Sequence, residues 1–248
     1  VVAIGSKGNT ITPTINPFNA WSESEVTVKF QNMARVAYLL MLSPEDSYLL
    51  HFQAIMSQME QHLVSTDPKV KSMCFVLLRS LWLQFSPMHF TDYWSVLCYC
   101  LQTNLQNFYE CLQIQQDVEP QLVLHICKTL DLLLALNIEE FSSTQEWLFV
   151  IDTINCIYKT DPYMSLVDEI SDCKDYEMNQ IDEVVLADLT EKKVPLLNGV
   201  HMIAKHSQLR SFFQSLSYAH YETMYSMKQL DFGACKADVL EDIFAMYL

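Results

Sequence analysis

Between Ser72 and Thr91 the sequence reads SMCFVLLRSLWLQFSPMHFT, and Arg79 is the only permanent charge in it. Few folds accept such a segment. Asp67 is suited to an N-cap and Pro68 to the first helical position, where a missing N–H costs nothing. Val70, Met73, Cys74, Leu77, Leu81 and Phe85 recur at spacings of three and four, the stripe of a helix. Phe75, Val76, Trp82 and Leu83 place apolar groups on its other faces, and a helix apolar all round has to be enclosed by neighbours. Ser86-Pro87 stops it, because proline disfavours the helical conformation in the preceding residue and brings no donor. It is too interrupted to span a membrane. A second helix starts near Thr91 and carries Trp94, Leu97, Cys98, Leu101, Leu105, Phe108 and Leu112, nearly a heptad seam that reads as intramolecular core.

The remaining text supplies the neighbours. The sequence has 248 residues, half of them apolar, enough for a substantial core. Only four glycines occur, which argues against glycine-rich phosphate loops and tightly turned sheets. Ser22-Glu23-Ser24-Glu25 has the pattern of a capping box, followed by Val26, Phe30, Met33, Ala37, Leu40 and Met41. Ser43-Pro44 repeats the cap-then-proline device before Leu49, Phe52, Ile55, Met56, Met59 and Leu63. After the polar stretch 113–121, a helix through Ile126, Leu130, Leu133 and Leu136 ends at Asn137, a residue suited to a left-handed stop. Asp131 stands among five leucines and is read as solvated. Short connections predict antiparallel neighbours. The expectation is an all-α chain of stacked antiparallel helical hairpins, either a short HEAT-like solenoid or an irregular bundle.

Four regions are expected: an extended lead-in at 1–20, a helical-repeat body at 21–160, an acidic mobile insertion at 161–194, and C-terminal helices at 195–248 packing on the body. Residues 161–191 hold ten carboxylates against Lys174 alone. The chain's net charge of −15 repels nucleic acid and anionic lipid at long range. Eight cysteines without a CxxC pair read as reduced thiols of a cytosolic protein. No apolar run reaches the length of a transmembrane helix. The ends read as those of a segment cut from a longer protein.

LLRSLWLQFSPMHFTDYWSVL (77–97) resembles an element near the C-terminus of the Dopey proteins. CKTLDLLLALNIEEFSSTQEWLFV (127–150), LRSFFQSLSYAHYETMYSM (209–227) and LLMLSPEDSY (39–48) fit the same pattern. The resemblance implies the C-terminal portion of a very large scaffold, peripheral on Golgi and endosomal membranes and acting in endosome–Golgi transport. The partners it implies are a large HEAT-repeat protein related to Arf exchange factors and a phospholipid flippase, with phosphatidylinositol 4-phosphate and kinesin linked to the animal members.

Two surfaces are candidates for binding. Phe212, Phe213, Tyr218, Tyr221 and Tyr225 form an aromatic group suited to a partner or to a homodimer, since aromatic residues dominate interface hot spots; packing on the body is the competing reading. Lys192, Lys193, Lys205 and Arg210 form a basic shoulder able to meet a phosphoinositide headgroup, or simply to balance the acidic segment before it. For chemistry, Asp168, Glu169 and Asp172 place three carboxylates on one turn, as a helical Mg²⁺–diphosphate enzyme would. The remote ligands such a site needs reduce to Asp238, Glu241 and Asp242, without an arginine-rich lid, so a solvated acidic turn is the reading adopted. No nucleophile elbow, Walker loop, dinucleotide fingerprint or HExxH is present. The expectation is a non-catalytic interaction domain without a cofactor.

Overall fold

The computed structural model describes residues 17–138, 170–171, 183–187, 193–216 and 228–247, with side chains from Glu25 onward. The protein is all-α, as its periodicity predicts. Five helices open the chain: α1 (Pro17–Leu42), α2 (Phe52–Leu63), α3 (Pro68–Gln84), α4 (Trp94–Gln113) and α5 (Pro120–Leu136). Short 3₁₀ turns lie at Leu49–His51, Pro87–Phe90 and His206–Leu209, the last running into a helical stretch at 210–216. A terminal helix, α6 (Phe232–Ala245), follows. Among the described residues, β pairing is limited to one parallel bridge between Lys193 and Leu230.

The chain divides into two compact units, Val1–Ser86 with Val239–Leu248, and Pro87–Asp238. The Ser86-Pro87 joint, expected inside one continuous body, is therefore a boundary, and the last residues belong with the first helices.

In the first unit α3 packs chiefly against α1 and only secondarily against its sequence neighbour α2, unlike the consecutive hairpins expected. The reason lies in the surfaces. Met33, Ala34, Ala37 and Leu40 give α1 a buried face with two small residues, into which the bulkier Met73, Cys74, Leu77 and Leu81 of α3 fit. The Cys74 thiol meets the Met33 sulfur at 3.4 Å. Helix α3 starts as the sequence dictates, with the Asp67 carboxylate accepting from the Val70 N–H at 2.9 Å and Pro68 following. Its end is fixed from outside. Asp46, at φ 56°, accepts from both the N–H and the hydroxyl of Ser86 (3.1 and 2.8 Å) and donates its own N–H to the Gln84 carbonyl.

Two predicted caps differ. Helix α1 begins at Pro17, ahead of the Ser22 capping box, because proline at a first helical position starts the helix earlier. The Ser43 hydroxyl donates back to the Leu39 carbonyl at 2.6 Å instead of capping the next helix, which starts only at Phe52 after a 3₁₀ turn.

In the second unit α4 packs on α5. The heptad-like seam of α4 is interior, with Leu97, Leu101, Leu105, Phe108 and Leu112 all buried. Helix α5 ends on Asn137 in the left-handed conformation (φ 49°, ψ 53°), as expected. Of the region expected as an acidic insertion, residues 170–171, 183–187 and 193–194 are described, and the rest of it lies outside the described residues. Ile170 is buried, the Val184 N–H donates to the Gln208 carbonyl, and the Ala187 N–H donates to Leu196.

Candidate functional site

An exposed apolar face is built on the first unit from the two ends of the sequence. Tyr38, Leu39 and Leu42 recur at helical spacing on the outer side of α1 and remain 39%, 53% and 60% exposed. Phe244 of α6, 58% exposed, meets Tyr38 edge-on with ring centroids 5.9 Å apart. Just past the end of α6, Tyr247 packs edge-on against Phe30 of α1 at 5.2 Å, and the Lys69 ammonium lies 5.0 Å from the centre of the Phe30 ring. With about 200 Å² for each such side chain in the open, the four leave on the order of 400 Å² of apolar surface, the size at which a patch is often functional.

A buried ion pair holds α6 to this unit. The Arg79 guanidinium of α3 donates to the Asp242 carboxylate at 2.7 Å, with side chains 1% and 0% exposed. Arg79, the lone charge of the apolar segment, thus has a counter-ion 163 residues away. Val76 and Ser80 of α3 and Val239 and Ile243 of α6 are buried as well.

A second buried cluster organises the second unit. Lys128 and Asp131 lie three residues apart on α5, hence on one helical face, and both are buried. The segment 195–203 crosses that face and satisfies them. The Leu197 N–H donates to Asp131 at 2.7 Å, Lys128 donates to the Val200 carbonyl at 2.9 Å, and Gln121 donates to the Ile203 carbonyl. Asp238 completes the cluster, accepting from Lys128 at 2.9 Å and from the Gly199 N–H at 2.7 Å, with the His201 Nδ1 3.9 Å away. Gly199 makes this turn at φ +85°, a conformation that side chains other than glycine's rarely adopt. Burial raises the Asp131 carboxyl to about 7, aided by the Asp238 charge and opposed by the Leu197 and Leu196 N–H groups and by Lys128. Burial likewise pushes the Cys127 thiol well up and the Cys235 thiol to about 12.

Several sequence expectations change here. Asp131 is a structural acceptor, not a solvated charge, because the loop 195–203 covers it. Asp238 and Asp242, weighed as remote metal ligands, are paired with Lys128 and Arg79. Phe212 and Phe213 are 0% and 1% exposed: Phe213 stacks on Phe108 at 6.3 Å and meets Phe212 edge-on at 5.3 Å, so this part of the aromatic group is core and not a docking face. Tyr218, Tyr221 and Tyr225 lie outside the described residues, as do Asp168, Glu169, Asp172 and Lys192. Of the other basic-shoulder residues, Lys205 is exposed while Lys193 and Arg210 are half-buried, and partial burial lowers the Lys193 pKa. The described cysteines 74, 98, 100, 111, 127 and 235 are free thiols, and Cys156 and Cys173 lie outside the described residues. Among the described residues no helix is long and apolar enough to cross a membrane.

The fold and surface define an all-α protein with interior ion pairs between distant parts of its sequence and a composite apolar face. Residues 1–226 match the protein family described as DOP1 C-terminal, and the chain belongs to that family, the Dopey family that its sequence resembles. Protein DOP1 of Saccharomyces cerevisiae is 54% identical over 245 residues, covering 99% of this chain and 14% of that protein. Protein dop1 of Emericella nidulans is 26% identical over 234 residues, covering 86% of this chain and 12% of that protein. The chain thus spans about one-seventh of the length of the curated relatives it matches. No solved structure matches it. The family match ends before α6, the helix that carries Asp238, Asp242 and Phe244.

Proposed function

We propose that this chain is a non-catalytic interaction module of a Dopey scaffold, peripheral on Golgi and endosomal membranes, and that it serves endosome–Golgi transport by docking a partner or a second copy through helical surface. The observation that carries this reading is the open face of Tyr38, Leu39, Leu42 and Phe244. Supporting it, the buried carboxylates Asp131, Asp238 and Asp242 are all engaged by neighbouring donors of the fold. The family resemblance adds the partners expected of the whole protein, the Arf-exchange-factor-like HEAT scaffold and the phospholipid flippase. A direct phosphoinositide contact has less behind it, because Lys205 alone among the described shoulder residues is exposed.

The test uses the full-length protein carrying Leu39→Asp with Leu42→Asp. Both side chains already face water, so helical content by circular dichroism should not change. Recycling of an endosomal cargo to the Golgi should fail to the same extent as when the protein is absent. Normal recycling with the folded double variant would refute the assignment of the face.

A further inference from the structure

The occupant of the α1/α6 face can be narrowed by charge and area. Helix α1 ends at Leu42 with no basic residue in its last turn, so the partial negative charge of its terminal carbonyls lies beside the patch. Glu45, just beyond, is exposed. The cations Arg35, tied to Asn32 at 3.5 Å, and Lys69, over the Phe30 ring, lie toward the other end of the stripe. The rim is therefore negative where α1 ends, within a chain of net charge −15. A second copy would bring the same negative field, and the patch is about half the roughly 800 Å² per partner of a standard interface. One helix laid along the stripe meets it with leucine-type side chains at spacings of three and four and offers a smaller footprint than a folded copy.

Resting on the docking role proposed above, we infer that the face formed by Tyr38, Leu39, Leu42 and Phe244 binds a single amphipathic helix of a partner protein, with that helix's lysines or arginines over the acidic rim at the α1 C-terminus. Because Phe244 comes from α6, the site is complete only when the end of the chain has packed onto the first unit.

The experiment titrates the 248-residue chain against a labelled helical peptide of about fourteen residues, long enough for nearly four turns. The peptide carries leucines at i, i+3, i+4 and i+7 and lysines at one end; its twin has glutamates there. The lysine peptide should bind roughly tenfold or more tightly than the twin, with the gap closing as salt is raised. Leu39→Asp should abolish binding of both peptides, whereas Glu45→Lys should erase only the preference. Equal binding of the two peptides, or binding untouched by Leu39→Asp, overturns the inference. A dimer by light scattering that Leu39→Asp dissociates, without peptide binding, also overturns it yet leaves the proposed docking function standing. Normal cargo recycling with the double aspartate variant removes that function as well.

Discussion

Removing the Asp242 carboxylate should destabilise the first unit more than any surface change. Arg79 sits at 1% exposure in the middle of α3 and donates to Asp242 at 2.7 Å. In Asp242→Leu the guanidinium keeps its burial and loses the Asp242 carboxylate, a change that costs about 3–5 kcal/mol. Arg79→Met, which strands the carboxylate, should cost a similar amount. Replacing both with apolar side chains removes the desolvation penalty along with the attraction, and such double changes are often neutral or stabilising. The double variant should therefore lie within about 1–2 kcal/mol of the parent, a strongly non-additive cycle. Urea unfolding followed by circular dichroism measures all four proteins, and each single variant should also melt more than about 10 °C lower, since a unit of this size loses several degrees per kcal/mol. Single variants costing less than about 1 kcal/mol, or a double variant costing the sum of the singles, would refute the claim that this pair fastens α6 to α3.

Three further outcomes are expected. Asp131 has its carboxyl raised from 3.8 to about 7 by burial, so the folded state holds a proton that the unfolded state releases; its contribution to stability is present below pH 4 and lost as pH rises through 7, and Asp131→Asn should remove that slope from the difference in unfolding free energy measured between pH 4 and 8. Thiol labelling with peptide mapping should modify Cys100 and Cys111 before Cys127 and Cys235, whose burial and raised pKa keep the thiolate scarce; prompt labelling of Cys235 would contradict its packing. Mg²⁺ with diphosphate at millimolar concentration should leave the melting temperature unchanged, and a rise of several degrees would favour an enzyme using Asp168, Glu169 and Asp172 over a scaffold.

Local signals in the sequence read directly into structure. Asp67-Pro68 starts α3, Asn137 ends α5, and the Leu97–Leu112 seam is buried, because caps, prolines and periodic side chains act within a few residues of themselves. Long-range partnerships were harder to see. Arg79 stood out as a lone charge and Asp131 as a carboxylate among leucines, yet their partners lie on α6 and in the 195–203 loop, and nothing in periodicity pairs positions so far apart. The signal available was the burial argument itself: a charge inside an apolar helix requires an opposite charge or a donor, and Asp238 and Asp242 were already conspicuous on a short terminal helix. Phe212 and Phe213 show the converse error. Aromatic density marks cores and interfaces alike, and here Phe108 occupies the partner position from within the unit. The exposed stripe Tyr38-Leu39-Leu42 was hidden because α1 carries apolar residues on both faces, and only packing against α3 reveals which face remains open.

The account depends on the last ten residues being part of the first unit, where they pair Arg79 and complete the apolar face. Amide hydrogen exchange across residues 73–83 compares the complete chain with one ending at Asp238. Protection in α3 should fall by several orders of magnitude in the shortened chain, because Arg79 is left buried without Asp242. Equal protection of α3 in the two chains would contradict it.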